Sequence, residues 1–180
     1  GIGRRQRQMC IRDSLSSELG EANHDSIDTL AGSIELIHCY SLIHDDLPSM
    51  DDDDLRRGNP TTHKKYDEAT AILAGDALQP LAFELISNLD TSDYNKITIV
   101  NCLANACGYS GMVGGQIKDI HSKEINTVQD LDIMHSQKTG RLIQASLETS
   151  GILSGLDQKD IEALNKSVSY THLTLPTTYT

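Results

Sequence analysis

The chain has 180 residues, 38% of them hydrophobic with one Phe and no Trp, and a formal charge of −11 with a pI near 4.9. That length suits one ordinary domain or a piece of a larger one, and the acidic balance excludes a general nucleic-acid binder, because phosphate backbones are held mainly by Lys and Arg. Four cysteines (Cys10, Cys39, Cys102, Cys107) without Cys-x-x-Cys spacing, no apolar run of ~20 residues and no signal-type leader predict a cytoplasmic chain with reduced thiols and no membrane span.

Residues 1–13, GIGRRQRQMCIRD, carry Arg4, Arg5, Arg7 and Arg12 with no helical stripe, and are expected to be a non-native tail. A long, mostly buried helix is predicted over 26–47, where Ile27, Leu30, Ile34, Ile37, Leu42 and Ile43 recur at three- to five-residue steps and Asp25 or Ser26 is placed to cap the start. GNPTTH (58–63) is a turn cluster. Residues 67–88 resume a helix rich in small side chains, expected to bend or break near Pro80. A helix over 93–120 has an irregular middle at Gly108, Gly111, Gly114 and Gly115. Another covers 127–153, and a short one at 158–166 is cut off by SVSYTHLTLPTTYT (167–180), whose Thr, Tyr and Pro read as strand-like or disordered and as a second non-native tail. The expectation is an all-α fold, with a partial domain at 14–166.

SLIHDDLPSMDDDDLRRG (41–58) sets six aspartates in ten positions before two arginines. Neighbouring carboxylates repel, by about 4 kcal/mol for unit charges 4 Å apart near a protein surface, so cations are needed there. Carboxylates with water and phosphate oxygens form the usual ligand set of Mg²⁺; a solvated acidic helix end is the alternative. On an unbroken helix Asp45 and Asp51 would be turned ~120° apart. Pro48 removes a backbone donor and disfavours helix at Leu47, which would let Asp51 swing back toward Asp45. An EF-hand does not fit, since counting from Asp51 its glycine and glutamate positions hold Arg56 and Thr62. Arg56 and Arg57 offer planar, permanent charge suited to diphosphates, and as helix neighbours ~100° apart would suit two of them; balancing the aspartates is the alternative.

With these residues in place, LIHDDLPSMDDDDLRRGNPTTHKKYDEATAILAGDAL (42–78) closely resembles the first aspartate-rich region of the trans-polyprenyl diphosphate synthases, particularly the bacterial farnesyl diphosphate synthases. The similarity covers roughly residues 34–155. The resemblance implies a helical bundle of the isoprenoid-synthase type around a central cavity, here incomplete. It also implies Mg²⁺, a homodimeric parent protein, and head-to-tail condensation of an allylic diphosphate (dimethylallyl or geranyl) with isopentenyl diphosphate. By position, Asp45 and Asp51 resemble the ligands that bridge Mg²⁺ to the allylic diphosphate, with Asp46 and Asp52 as further candidates. Arg56 is similar to the arginine on the allylic diphosphate, and Arg57 and His38 to contacts of isopentenyl diphosphate. QKTGRLIQAS (137–146) resembles the Lys-Thr motif that places Lys138 and Thr139 on the allylic diphosphate as catalytic and binding groups. GGQIKD (114–119) resembles a cavity-facing segment holding Gln116 and Asp119, although glycine-assisted helix packing explains it nearly as well. Tyr40, with Ser41 beside it, lies where a bulky residue limits product length in that family, which implies a C15 product; simple helix packing is the other reading of Tyr40.

The sequence departs from the family in two places. It has no second aspartate-rich motif and no upstream Gly-Lys-Arg motif, so the 180-residue chain is expected to turn over little or not at all. Competing readings are a terpene cyclase, a His-Asp metal-dependent phosphohydrolase built on His44-Asp45, and a non-catalytic interaction subunit.

Overall fold

A computed structural model describes residues 23–121 and 127–174 of the chain, the last eight as backbone alone. The predicted tail at 1–13 and residues 175–180 lie outside the described residues. The elements in order are α1 (His24–Asp45), β1 (Leu55–Arg56), β2 (Asn59–Pro60), α2 (Thr62–Lys65), α3 (Glu68–Ser87), α4 (Asp93–Cys107), α5 (Met112–Ile120), α6 (Val128–His135), a π-helical turn (Ser136–Gly140), α7 (Arg141–Leu153) and α8 (Gln158–Thr174). Apart from one two-residue hairpin, the described residues form helices and their connections, as the apolar spacing predicts.

Helix α1 starts two residues earlier than expected. Its cap is Asn23, whose side chain accepts from the Asp25 backbone N–H, and not Asp25 or Ser26. Its buried residues Ile27, Leu30, Ile34, Ile37 and Tyr40 repeat at steps of three and four, a continuous stripe on one face. That stripe meets Ala82, Ile86 and Leu89 from the α3 end, Ile99 and Leu103 of α4, and Leu142 and Ala145 of α7 in one core. Helix α1 therefore packs against α3 and α7 while α4 packs against α7 and α3.

Four sequence expectations need correction. Helix α3 runs unbroken through Pro80, because Pro80 and Asp76, whose carbonyl loses its helical partner, both lie on the exposed side, so the freed group is not buried in the core. The expectation that no segment reaches span length also fails for α3, whose 20 residues are long and apolar enough by length and composition once Ala and Gly are counted with Leu and Ile. The helix predicted over 93–120 is two helices, parted at 108–111; a Cβ on Gly111 would lie 2.6 Å from the Ala106 carbonyl carbon. At the C-terminal end, α8 continues to Thr174 where strand-like or disordered chain was expected.

Residues 128–153 form the single helical run expected, started by a reciprocal cap between Thr127 and Asp130. The run is not uniform: its turn at 136–140 is π-helical. In α7, Thr149 and Ser150 are fully buried, and their hydroxyls bond back to the carbonyls of Ala145 and Ser146, so neither hydroxyl is left without a partner.

The tightest seam joins α1 to α3 at Gly75, where an added Cβ would lie 2.5 Å from Cδ2 of His44. Gly75→Ala is expected to lower unfolding free energy by about 1–3 kcal/mol through overpacking. Gly32→Ala, in the same kind of helix but with nothing within 4 Å of the added carbon, is expected to be neutral or to stabilise by up to ~1 kcal/mol. Urea unfolding midpoints at unchanged slope check both.

Candidate active site

Helix α1 ends at Asp45, and the chain then turns back on itself. Pro48 stops the helix, Asp52 adopts a left-handed backbone (φ 51°), and its N–H donates to the Leu47 carbonyl at 3.1 Å. The decisive contact is the Asp51 N–H, which donates to the Asp45 carbonyl at 3.0 Å across six residues. Asp51 is thus brought back to Asp45 as the proline predicted, and each carboxylate lies within electrostatic reach of the other.

Local cations answer most of the acidic run. Arg56 donates Nε–H to Asp46 Oδ1 at 2.6 Å, brings Nη2 to the same oxygen at 2.5 Å and comes within 3.6 Å of Asp53. Asp46 is only 3% exposed, so this ion pair offsets an otherwise prohibitive burial. Lys64 reaches Asp54 at 2.8 Å and Asp52 at 4.0 Å, and its hydrogen bond holds the exposed Asp54 carboxyl below the usual range. Asp51 makes no side-chain hydrogen bond or ion pair among the described residues.

The arginines stand on a hairpin and not on a helix as expected. Leu55 pairs with Pro60 and Arg56 with Asn59, while Arg57 (φ 54°) and Gly58 (φ 81°) form the two-residue turn with positive φ at both positions. A non-glycine residue in that conformation costs on the order of 1 kcal/mol. The turn sends Arg57 away from the Asp46–Arg56 pair and near Cys39 of α1. Burial, aided by Glu35, pushes the Cys39 thiol up, and the Arg57 charge opposes it. The hairpin is tied down by Thr61, whose hydroxyl donates to the Asp53 carbonyl at 2.8 Å, whose N–H donates to the Asp54 carbonyl at 3.0 Å, and which lies 3.2 Å from Nδ1 of buried His63. Sequence reading missed this knot; the Thr after Pro60, at the N-cap of α2, was its available signal.

Helix α5 faces the end of α1. Gln116 Nε2 donates to Asp45 Oδ1, and Lys138 Nζ, from the π-helical turn, lies 3.6 Å from Asp45 Oδ2 and 2.5 Å from Asp119 Oδ2. The turn lies directly on α5: a Cβ on Gly115 would be 2.6 Å from Lys138 Cα. Burial works against the Lys138 ammonium, but the Asp119 hydrogen bond and the fields of Asp45, Asp119 and Asp51 outweigh it and raise its pKa. For Asp45 the balance is different. Desolvation pushes its carboxyl up, Lys138 and Arg56 only partly offset this, and Asp51 adds to it. The pair of carboxylates is left short of positive charge.

Among the described residues no three His, Cys, Asp or Glu side chains gather as a metal cage. A divalent cation would be held by Asp45 and Asp51, with its remaining oxygens from water or ligand, an arrangement usual for Mg²⁺. A cation there would offset the desolvation of the Asp45 carboxylate.

The remaining predicted residues lie along the last turns of α1 and on the π-helical turn. His38 is half-buried, Ser41 donates its hydroxyl to the His38 carbonyl at 2.8 Å, and Thr139 is half-buried beside Lys138. Tyr40 is 5% exposed, and burial raises its phenol to about 12. His44 turns toward α3: Nε2 donates to the Ile72 carbonyl at 3.0 Å, and the ring meets Tyr40 edge-on at 5.9 Å. That nitrogen is therefore not presented as a metal ligand beside Asp45.

The Polyprenyl synthetase family profile matches residues 2–172. The farnesyl diphosphate synthase of Micrococcus luteus is 44% identical over 164 residues, covering 91% of this chain and 56% of that protein. Among solved structures, an apo FPP/GFPP synthase from Zymomonas mobilis superposes with a TM-score of 0.85 at 36% identity, covering 90% of this chain and 60% of that one. A geranyltransferase from Helicobacter pylori complexed with magnesium and isoprenyl diphosphate gives 0.83 at 35%, covering 95% and 58%. The chain spans about half the length of the curated relatives it matches. With a family match over nearly its whole length and an aspartate-rich turn backed by Arg56 and Lys138, this chain belongs to the polyprenyl synthetase family.

Proposed function

We propose that the protein to which this chain contributes condenses isopentenyl diphosphate with dimethylallyl or geranyl diphosphate to a C15 product, and that this chain supplies the first aspartate-rich half of the site. The observation that carries the reading is the backbone bond from Asp51 to Asp45, which returns Asp51 to the end of α1 so that the two carboxylates feel one another, with Lys138 in electrostatic reach of both. In this reading Asp45 and Asp51 hold Mg²⁺, and Asp46 serves to aim Arg56. Bound Mg²⁺ would supply Lewis acidity that makes diphosphate a better leaving group.

The chain's own groups would then act in order. Arg56, Lys138 and Thr139 bind the allylic diphosphate and stabilise the negative charge it gains as the C–O bond breaks, with the electron pair leaving on oxygen. Arg57 and His38 hold isopentenyl diphosphate, whose double bond attacks the allylic carbon, and the resulting cation then passes a proton to the released diphosphate as the new alkene forms. No protein nucleophile is needed. Apolar side chains of α1 keep water from the cation, and Tyr40, a turn and a half before Asp45, stops the growing chain. A homodimeric whole protein belongs to the same proposal, supported by the exposed Ile72, Leu73 and Leu81 on α3 and Tyr94 and Ile97 on α4, apolar surface that a second copy would cover.

Asp45→Asn and Asp51→Asn are each expected to weaken Mg²⁺-assisted uptake of geranyl diphosphate at least tenfold by calorimetry, roughly one charged hydrogen bond's worth. His44→Ala should leave it within about threefold; loss of metal binding in His44→Ala with none in Asp51→Asn would turn the assignment to a His-Asp phosphohydrolase.

Arg56→Ala strands the Asp46 carboxylate and is expected to destabilise by about 3 kcal/mol, the low end for a buried pair because the arginine is partly exposed. Asp46→Asn with Arg56→Gln should recover most of that in urea unfolding. Tyr40→Ala is expected to move the products formed from labelled isopentenyl diphosphate beyond C15, read by chromatography; an unchanged product length would make Tyr40 a packing residue.

A further inference from the structure

Lys138 stands between two carboxylates at unequal distances, 2.5 Å from Asp119 and 3.6 Å from Asp45. Its backbone has little freedom to change that, because Gly115 of α5 lies directly against Lys138 and Gln137 in the π-helical turn. The choice of partner is therefore made by the side chain alone. Asp45 already has one oxygen engaged, since Gln116, one turn before Asp119 on α5, donates to Oδ1. The other oxygen, Oδ2, is the one that faces the ammonium.

We infer that Asp119 is a positioning residue that acts through Lys138: by taking the ammonium as its closer partner it keeps Lys138 from closing on Asp45 Oδ2, and so keeps that oxygen available to a divalent cation. Without Asp119 the ammonium loses its nearer anion and moves the remaining distance to Asp45, where it competes with the metal. Asp119 and Asp45 are the two ion-pair partners of Lys138, with the field of Asp51 behind them, so removing Asp119 strengthens its hold on Asp45. The inference rests on the proposal that Asp45 takes part in binding a divalent cation, and it gives α5 a role that its glycine packing alone does not.

A double-mutant cycle on the 180-residue chain tests it, with Mn²⁺ as the probe in the presence of inorganic diphosphate and water-proton relaxation as the readout. Asp119→Asn is expected to raise the apparent Kd for Mn²⁺ about five- to tenfold, within the range of coupling energies for contacting charges. In a Lys138→Gln background the same substitution should change Kd by less than about twofold, because the competitor is gone. Asp119→Glu, which keeps the anion, should restore affinity to within about threefold of the parent. Circular dichroism of each variant identifies any that does not fold, and the glutamate variant then carries the comparison. If Asp119→Asn weakens Mn²⁺ equally with Lys138 and with Gln at that position, Asp119 acts only as a field charge and the inference is overturned. If the unsubstituted chain binds no Mn²⁺ with diphosphate, the metal assignment of Asp45 falls first, and this inference with it.

Discussion

The backbone hydrogen bond from Asp51 to Asp45 is the constraint on which the rest of the site depends. It returns Asp51 to the electrostatic reach of Asp45 at a place where Asp45 is largely shielded from water, and the cost of burying that charge has to be met from elsewhere. Two cations from two different elements meet part of it: Arg56 from the hairpin and Lys138 from the π-helical turn. What they leave unbalanced lies at Asp45 and Asp51, and a group that brings further positive charge is stabilised there.

The helical frame serves this arrangement by fixing where each cation originates. Helix α1 is anchored by its buried stripe and by the close approach of His44 to Gly75, so Asp45 cannot slide along α3 without losing packing. The π-helical turn at 136–140 is held against α5 at Gly115, which sets Lys138 opposite the end of α1. Irregular helix of this kind is uncommon and concentrates at functional positions. The left-handed turn at Arg57 is a second irregularity, and together they lie on the two segments that carry the site's arginines and lysine.

The sequence and the structure agree most closely where a rule is local. The three- and four-residue repeat of Ile27, Leu30, Ile34 and Ile37 predicted α1, and Pro48 predicted the turn that returns Asp51. Agreement fails where the outcome depends on surroundings. Pro80 did not break α3, where it and Asp76 lie on the exposed side, and Arg56 and Arg57, expected as helix neighbours, stand on a hairpin with Arg56 in the strand and Arg57 in the turn. Gln116 and Asp119 could be read equally as packing, since nothing in GGQIKD tells which side of the helix meets α1.

From residue order alone came the helical class, the clustering of six carboxylates beside two guanidiniums, and the need for cations that such clustering creates, because repulsion between neighbours and apolar periodicity are properties of short stretches. Tertiary structure alone decided which cation answers which carboxylate. Asp45, Gln116, Asp119 and Lys138 come from three segments up to 93 positions apart, and only the docking of α5 between the end of α1 and the π-helical turn brings them within hydrogen-bonding distance, a contact that no local pattern encodes.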